Sequence, residues 1–315
     1  MKQQRRPNFR ALFSVWVWLT YDSTSFYEKN LNFLILQKIP QQNVIHISKN
    51  SKTVIIKATA GEIKRIKKSP ECLDVTPYEE SIPIKTTSEL ILRQLDADSQ
   101  NGTNSPLFNE GQGFSGNGVT FGMISAERTI FDTRSPQLQE ALSEGRVSVL
   151  DYPLPPLPDL HPSVVLSEII GERIVIGERV FEGIAKRSSV LFSTSETDVD
   201  VFRAIQEMIS QNVKIINYSA GIIGNIGYTG FDQEIDRLIF ENGFLFVTAS
   251  GNRRTVSSPG SAWNTLTVGN LQTKSSPNTP SIPPYSIWCK DNTNCSGYLS
   301  ESTLAHKPDV VAPGS

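Results

Sequence analysis

Long hydrophobic runs are missing from this 315-residue sequence: no stretch reaches the roughly 18 apolar residues that a membrane-spanning helix needs. Cysteine is scarce, with three residues, too few for a disulfide framework. Cys289 and Cys295 flank the polar loop "CKDNTNC" and either pair or stand as two thiols. An excess of one charge is missing as well. Lys and Arg total 30, Asp and Glu 32, and the net charge of −2 is spread over interspersed signs. Such a surface offers a nucleic acid no basic footprint. Neither nucleic acid nor membrane is therefore expected as a partner. No metal-ligand cluster stands out, so no cofactor is expected and no metal site is assigned. The start, "MKQQRRPNFRALFSVWVWLTYD", places basic residues before an apolar run but lacks the small-x-small cleavage site of a secretory leader. Its "FSVWVWL" is rich in strand formers and reads as a first strand. The compartment stays open.

What is present is a globular composition, 38% hydrophobic and 20% charged, enough for one large domain or two smaller ones. The first part has a compact rhythm. "FSVWVWLTYD" reads as a strand, "STSFYEKNLNFLILQKI" as a helix capped from Ser23 to Ser25, and "NVIHISKNSKTVIIKAT" as two strands around a Lys49-Asn50-Ser51 turn. "AGEIKRIKKSPECL" reads as a short helix stopped near Pro70, and "DVTPYEESIPI" is extended again. This β-α-β-β-α-β order predicts a small α+β ferredoxin-like domain over residues 1–84. Residues 85–117 are polar and rich in Gly, Asn and Ser, and read as linker and loop. They hold a G-x-G-x-x-G at Gly111, Gly113 and Gly116, but these glycines precede a strand instead of following one. That order does not suit a dinucleotide site.

From Val119 onward, apolar strands ("VTFGMIS", "RVSVLDY", "SSVLFST", "VKIINYS", "FLFVTAS", "NTLTVGNL") alternate with helices. "HPSVVLSEII" is a helix entered through Pro162, a favoured first-turn residue. "DVDVFRAIQEMISQN" puts Val201, Ile205, Met208 and Ile209 on one stripe, and "FDQEIDRLIFENG" puts Ile235, Leu238 and Ile239 inward, with Gly243 as its stop. The pattern predicts an α/β fold, a mostly parallel sheet covered by helices on both faces, over residues 118–315. Ligands of such sheets bind beyond the carboxyl ends of the strands. Those positions hold Ser125, the "NYSAG" of Asn217 to Gly221, and the "ASGN" of Ala249 to Asn252, with His161 at a helix start.

At these residues the chain resembles the subtilisin family of serine peptidases. "GNGVTFGMIS" looks like the family's first core strand, "HPSVVLSEIIG" like its catalytic-His helix, "VKIINYSAG" like its substrate strand, and "VTASGN" like its oxyanion segment. "PGSAWNTLTVGNL" and "KPDVVAPGS" look like the segments that follow, and the β-α-β-β-α-β start resembles the family's inhibitory, folding-assisting propeptide. The resemblance implies a subtilisin-like fold and peptide-bond hydrolysis through an acyl-enzyme. It implies a peptide or protein substrate, with the propeptide as an intramolecular partner. It gives His161 the general-base position and Asn252 the oxyanion position. Tyr218, Ser219, Ala220, Gly221, Ala249, Ser250 and Gly251 would then hold the substrate. Relatives often bind structural calcium, for which no ligand set can be read here.

The chain departs from the family's pattern in three places. Pro162 and Val164 replace the usual Gly and His beside His161, and Ser125 stands where the family has its catalytic Asp. A hydroxyl cannot stabilise an imidazolium as a carboxylate does; Glu127 and Asp132, in the following loop, are the alternative acids. The family's nucleophile segment lies beyond the "APG" loop, and Ser315 is too early to be that serine. The expectation is a serine endopeptidase sequence truncated before its nucleophile and inactive as it stands. The alternatives are a pseudopeptidase serving as a binding or chaperone module, and an unrelated nucleotide-binding α/β protein.

Overall fold

The structure, a computed structural model, describes residues 11–20, 25–78, 83–85, 115–153, 155–176, 179–222, 228–251, 256–273, 280–281 and 307–313. The chain divides into two compact units, Met1–Glu80 and Ser81–Ser315.

The first unit contains β1 (Leu12–Leu19), α1 (Phe26–Leu36), β2 (Val44–Ile47), β3 (Thr53–Thr59), α2 (Ala60–Ile66) and β4 (Cys72–Pro77). Its strands form one antiparallel sheet in the order β2-β3-β1-β4. The alternation of β1 decides its two faces. Val15, Val17 and Leu19 join Phe33 and Leu34 of α1 and Ile66 of α2 in one buried cluster. Trp16 and Trp18 project from the other face, stacked with centroids 5.1 Å apart, and Tyr78 meets Trp16 edge-on. The Asn30 side chain, fully buried in α1, donates to the Ser48 and Ser51 carbonyls at 2.7 and 2.9 Å. It thereby ties the β2–β3 turn to the helix. Thr59 and Glu62 make a reciprocal capping box at the start of α2.

The second unit runs β5 (Pro83–Lys85), β6 (Thr120–Ser125), β7 (Thr129–Ile130), α3 (Gln139–Ser143), β8 (Val147–Val149), β9 (Leu157–Pro158), α4 (Leu160–Ile170), β10 (Ile174–Ile176), β11 (Arg179–Phe181) and β12 (Ser189–Thr194). It continues with α5 (Asp198–Ser210), β13 (Ile215–Tyr218), β14 (Ala220–Ile222), α6 (Gly230–Asn242), β15 (Leu245–Ala249), β16 (Leu266–Thr273), β17 (Pro280–Ser281) and β18 (Val310–Pro313). Six strands form a parallel sheet in the order β16-β15-β13-β6-β12-β8. β18 joins β16 in parallel and β17 joins it antiparallel. β10 and β11 form a separate antiparallel pair.

Helices cover both faces. Phe121 and Met123 of β6 pack with Val165, Leu166 and Ile170 of α4, Ala141 of α3, and Val190 and Phe192 of β12. Gly122, between them, faces the other way: a Cβ there would stand 2.4 Å from the Met208 sulfur of α5. The bare glycine is what lets α5 lie this close to the central strand. Val201, Ile205 and Met208 are buried to within 0% exposure on α5, whose Thr197–Asp200 capping box fixes its start. α6 buries Ile235 and Leu238 and ends at Gly243, which adopts φ 62°. The helix predicted to open at Pro162 begins earlier, at Leu160. Asp159 caps it, accepting the His161 backbone N–H at 2.8 Å, so His161 and Pro162 both lie in the first turn.

Candidate active site

From β6 the chain crosses to β8, returns through β12, and passes over β6 to β13. Successive connections thus leave β6 and β13 in opposite directions, which opens a crevice at the carboxyl ends of those two strands. Ser125 ends β6 and Tyr218 ends β13. α4 reaches the same place because β9, just before it, pairs with β7, just after Ser125: the Asp159 N–H donates to the Ile130 carbonyl at 2.9 Å.

His161 is half-buried, and its Nε2 lies 3.2 Å from the Ser219 carbonyl oxygen. That carbonyl belongs to the residue joining β13 to β14. The structure therefore brings together the candidate base and the candidate substrate segment.

Ser125 is 2% exposed, and its Oγ lies 2.8 Å from the Thr129 Oγ1. The Thr129 hydroxyl donates to the Ala126 carbonyl at 2.8 Å. The Ser125 carbonyl accepts from both the N–H and the hydroxyl of Ser195, at 2.8 and 2.9 Å. Of the alternative acids, Asp132 is held by Arg134: Nε donates to Oδ1 at 3.0 Å and Nη2 to Oδ2 at 2.9 Å. These hydrogen bonds hold the Asp132 carboxyl below its ordinary range. Glu127 is exposed and takes φ 57°, followed by Arg128 at 52°. Two successive non-glycine residues in the left-handed region mark a strained turn directly after Ser125.

β14 is the middle strand of a small arrangement of its own. On one edge, β5 pairs with it antiparallel, Lys85 opposite Ala220, Ile84 opposite Gly221 and Pro83 opposite Ile222. On the other edge the Ile222 N–H donates to the Ser258 carbonyl at 2.8 Å. Gly221 packs directly on Ser257: a Cβ there would stand 2.1 Å from Ser257 Oγ and 2.8 Å from its Cβ. Ser257 in turn donates its N–H to the Ser250 carbonyl at 3.0 Å, joining β14 to the end of β15. There Ala249 is the last strand residue, Ser250 is buried, and Gly251 turns the chain at φ 96°. Asn252, next in sequence, lies outside the described residues. The Tyr218 side chain is wholly buried, and burial together with the nearby Asp198 charge pushes its phenol well above the ordinary value.

Beneath this support lies Asp232, the third residue of α6 and fully buried. Its Oδ2 accepts the Thr229 N–H at 2.8 Å and the Thr229 hydroxyl at 2.6 Å, and also the Ser258 hydroxyl. Its Oδ1 accepts the Ser261 hydroxyl at 3.0 Å. Burial raises its pKa above the ordinary carboxylate value, against these hydrogen bonds, which lower it. Sequence reading missed Asp232, Ser257 and Ser258; "T-x-x-D" before an apolar run signals a helix cap and nothing more. Among the described residues, no cluster of His, Cys, Asp and Glu is placed to hold a metal. Among the same residues, no helix is long and apolar enough to cross a membrane.

Residues 165–315 match the model of the subtilase family. The match takes in Tyr218 to Gly221 and Ala249 to Asn252, and it begins after Ser125 and His161. Among solved structures, the epidermin leader peptide processing serine protease of Staphylococcus aureus is similar at 14% identity and a TM-score of 0.58, over 96% of this chain and 76% of that one. Fervidolysin of Fervidobacterium pennivorans, a keratinolytic enzyme related to subtilisin, is similar at 16% identity and a TM-score of 0.54, over 90% of this chain. The chain spans 46% of fervidolysin's length and 62% of that of the prenylagaramide maturation protease PagA. No curated protein matches the chain. Residues 165–315 thus resemble the subtilase family, and the fold is similar to those of solved subtilisin-like serine proteases.

Proposed function

We propose that the chain forms the peptide-binding and general-base portion of a subtilisin-like serine endopeptidase site. In this reading His161 is the base and β14 is the strand along which a substrate peptide lies. Ala249 to Gly251 form the facing wall, and Asn252 donates to the oxyanion. One observation carries the reading. β14 accepts an added strand, β5, on its open edge, and the residue before β14 is the one whose carbonyl contacts His161 Nε2. Strand addition along a sheet edge is a standard way to grip an extended peptide. A histidine at the end of that strand is where a base for peptide hydrolysis is needed. Residues 1–84 are proposed as the propeptide, and β5, where it passes into the linker, as the segment lying in the substrate strand.

No Gly-Thr-Ser occurs in residues 1–315. The test therefore uses an extended protein, residues 1–315 joined to a relative's nucleophile segment and first shown to be folded. Hydrolysis of a peptide library is expected, raised further by Ser125→Asp and abolished by His161→Ala. Asn252→Ala should lower kcat by about 10²–10³. Turnover indifferent to His161→Ala would end the reading.

A second reading, a peptide-binding module without turnover, is favoured by Ser125. It is buried and uncharged, and its hydroxyl is engaged by Thr129. A folded extended protein that binds peptides but does not cleave them, with or without Ser125→Asp, would select it.

A further inference from the structure

We propose that Asn117 is a site of spontaneous covalent modification, where water converts the side-chain amide to a carboxylate by way of a cyclic imide. This chemistry needs neither the base nor the nucleophile of the proposed peptidase.

The reaction starts from an asparagine followed by a glycine. The glycine nitrogen bonds to the asparagine Cγ, the Cγ–Nδ2 bond breaks, and ammonia leaves with the proton of that nitrogen. Water then opens the five-membered imide at either carbonyl, leaving Asp or isoaspartate. Glycine in second place puts no side chain over the attacking nitrogen and lets the backbone rotate. The chain holds three such pairs, Asn101–Gly102, Asn117–Gly118 and Asn242–Gly243. The first lies outside the described residues.

The structure separates the other two. Asn117 and Gly118 are both exposed, just ahead of β6. They are the middle residues of a turn that the Val119 N–H closes on the Gly116 carbonyl at 3.0 Å. The N–H that closes the turn is therefore not the one that attacks. The Ser188 hydroxyl donates to the same carbonyl at 3.2 Å and anchors the turn at its base. Gly118 takes φ 77°, and a Cβ built on it meets nothing within 4 Å, so there is open space where the imide forms.

Asn242 is held on both reacting sides. Its Nδ2 donates to the Leu238 carbonyl at 2.8 Å, and the Gly243 N–H donates to the Ile239 carbonyl at 2.8 Å. Both bonds must break, and the last turn of α6 must open, before Cγ and the Gly243 nitrogen can meet. Conversion at Asn117 adds a negative charge just before the first strand of the parallel sheet. The isoaspartate form also routes the main chain through the side chain. That lengthens the turn by one carbon and works against the Val119 closing bond.

The full 315-residue chain, folded and held at mildly alkaline pH in ¹⁸O-labelled water, is digested and its peptides are read by mass. A second sample is held in denaturant. In the folded chain Asn117 should take up label at least about tenfold faster than Asn242, the equivalent of about 1.4 kcal/mol for one hydrogen bond kept. In denaturant the two rates should come together, because only the residue pair remains. Equal rates in the folded chain overturn the proposal, and so does conversion of Asn117 in denaturant alone. A gap of the same size in denaturant would assign the difference to the preceding residues, Gly116 against Glu241, and overturn it as well. Asn117→Ala should leave its peptide unlabelled; label that persists there would place the reaction at another residue.

Discussion

Gly221 carries no side chain because Ser257 occupies the space one would need. A methyl group there meets Ser257 Oγ at 2.1 Å and its Cβ at 2.8 Å. Gly221→Ala is expected to lower stability by about 1–3 kcal/mol, as overpacking does, and Ser257→Gly in the same chain should recover most of it. Chemical denaturation of the single and double variants checks this; additive losses would refute the contact. Asp232 is the second residue on which the strand depends. Asp232→Asn keeps the shape but turns an amide N–H₂ toward the Thr229 and Ser258 donors, at a cost of about 1.5–3 kcal/mol near neutral pH. The sign of its pH dependence follows from its raised pKa. The folded state holds that proton more tightly than the unfolded one. The stabilisation is therefore fully present below the ordinary value of 3.8 and is lost as pH rises through the folded pKa. The stability difference between wild type and Asp232→Asn should accordingly be largest in acid and shrink with rising pH; a difference that grows instead would contradict the raised pKa. His161, Ser125 and Ser219 were singled out in the sequence because each follows a strand or opens a helix, and the structure sets His161 Nε2 beside the Ser219 carbonyl. Asp232, Ser257 and Ser258 were not. Their meaning lies in hydrogen bonds and contacts spanning 26 to 36 residues, such as Ser258 to Asp232 and Ser257 to Gly221, and locally they look like a helix cap and a turn.

The elements that depend on period and capping were the readable ones. β1 is a run of strand formers, α5 and α6 carry apolar stripes that open on a capping box, and the six parallel strands are short apolar runs. β14 and β5 were beyond such reading. Each is three residues long, too short for any period to show, and each is a strand only because the other lies beside it. That mutual dependence is testable. The Ile222 N–H faces Ser258, so by alternation the N–H of Gly221 faces β5, where Ile84 lies opposite. Ile84→Pro removes the donor and disfavours the ladder. Hydrogen exchange at Gly221 should accelerate by about tenfold, the equivalent of one lost hydrogen bond of about 1.4 kcal/mol. Amides of β6 should exchange as before. An unchanged rate at Gly221 would mean that β5 does not protect β14.

For the molecule as a whole, the expectation is that residues 1–315 by themselves hydrolyse no peptide at a measurable rate. In subtilisin, loss of the nucleophile alone lowers kcat by about 2 × 10⁶; on the function proposed above, residues 1–315 supply neither a Gly-Thr-Ser segment nor an acid at position 125. Measurable cleavage by the 315-residue chain, abolished by His161→Ala, would show that a nucleophile had been overlooked. The strand order has a further consequence, for the growing chain. β6 is the first strand of the parallel sheet to be made and lies near its middle, yet its neighbours come much later. Gly122 pairs with Leu191, 69 residues on (191 − 122), and with Ile216, 94 residues on (216 − 122). At roughly 5–20 residues per second, the first partner is made about 3–14 s after β6 and the second about 5–19 s after it. For that interval an apolar strand with two open edges has nothing of its own to pair with, and it is then exposed to association with other chains.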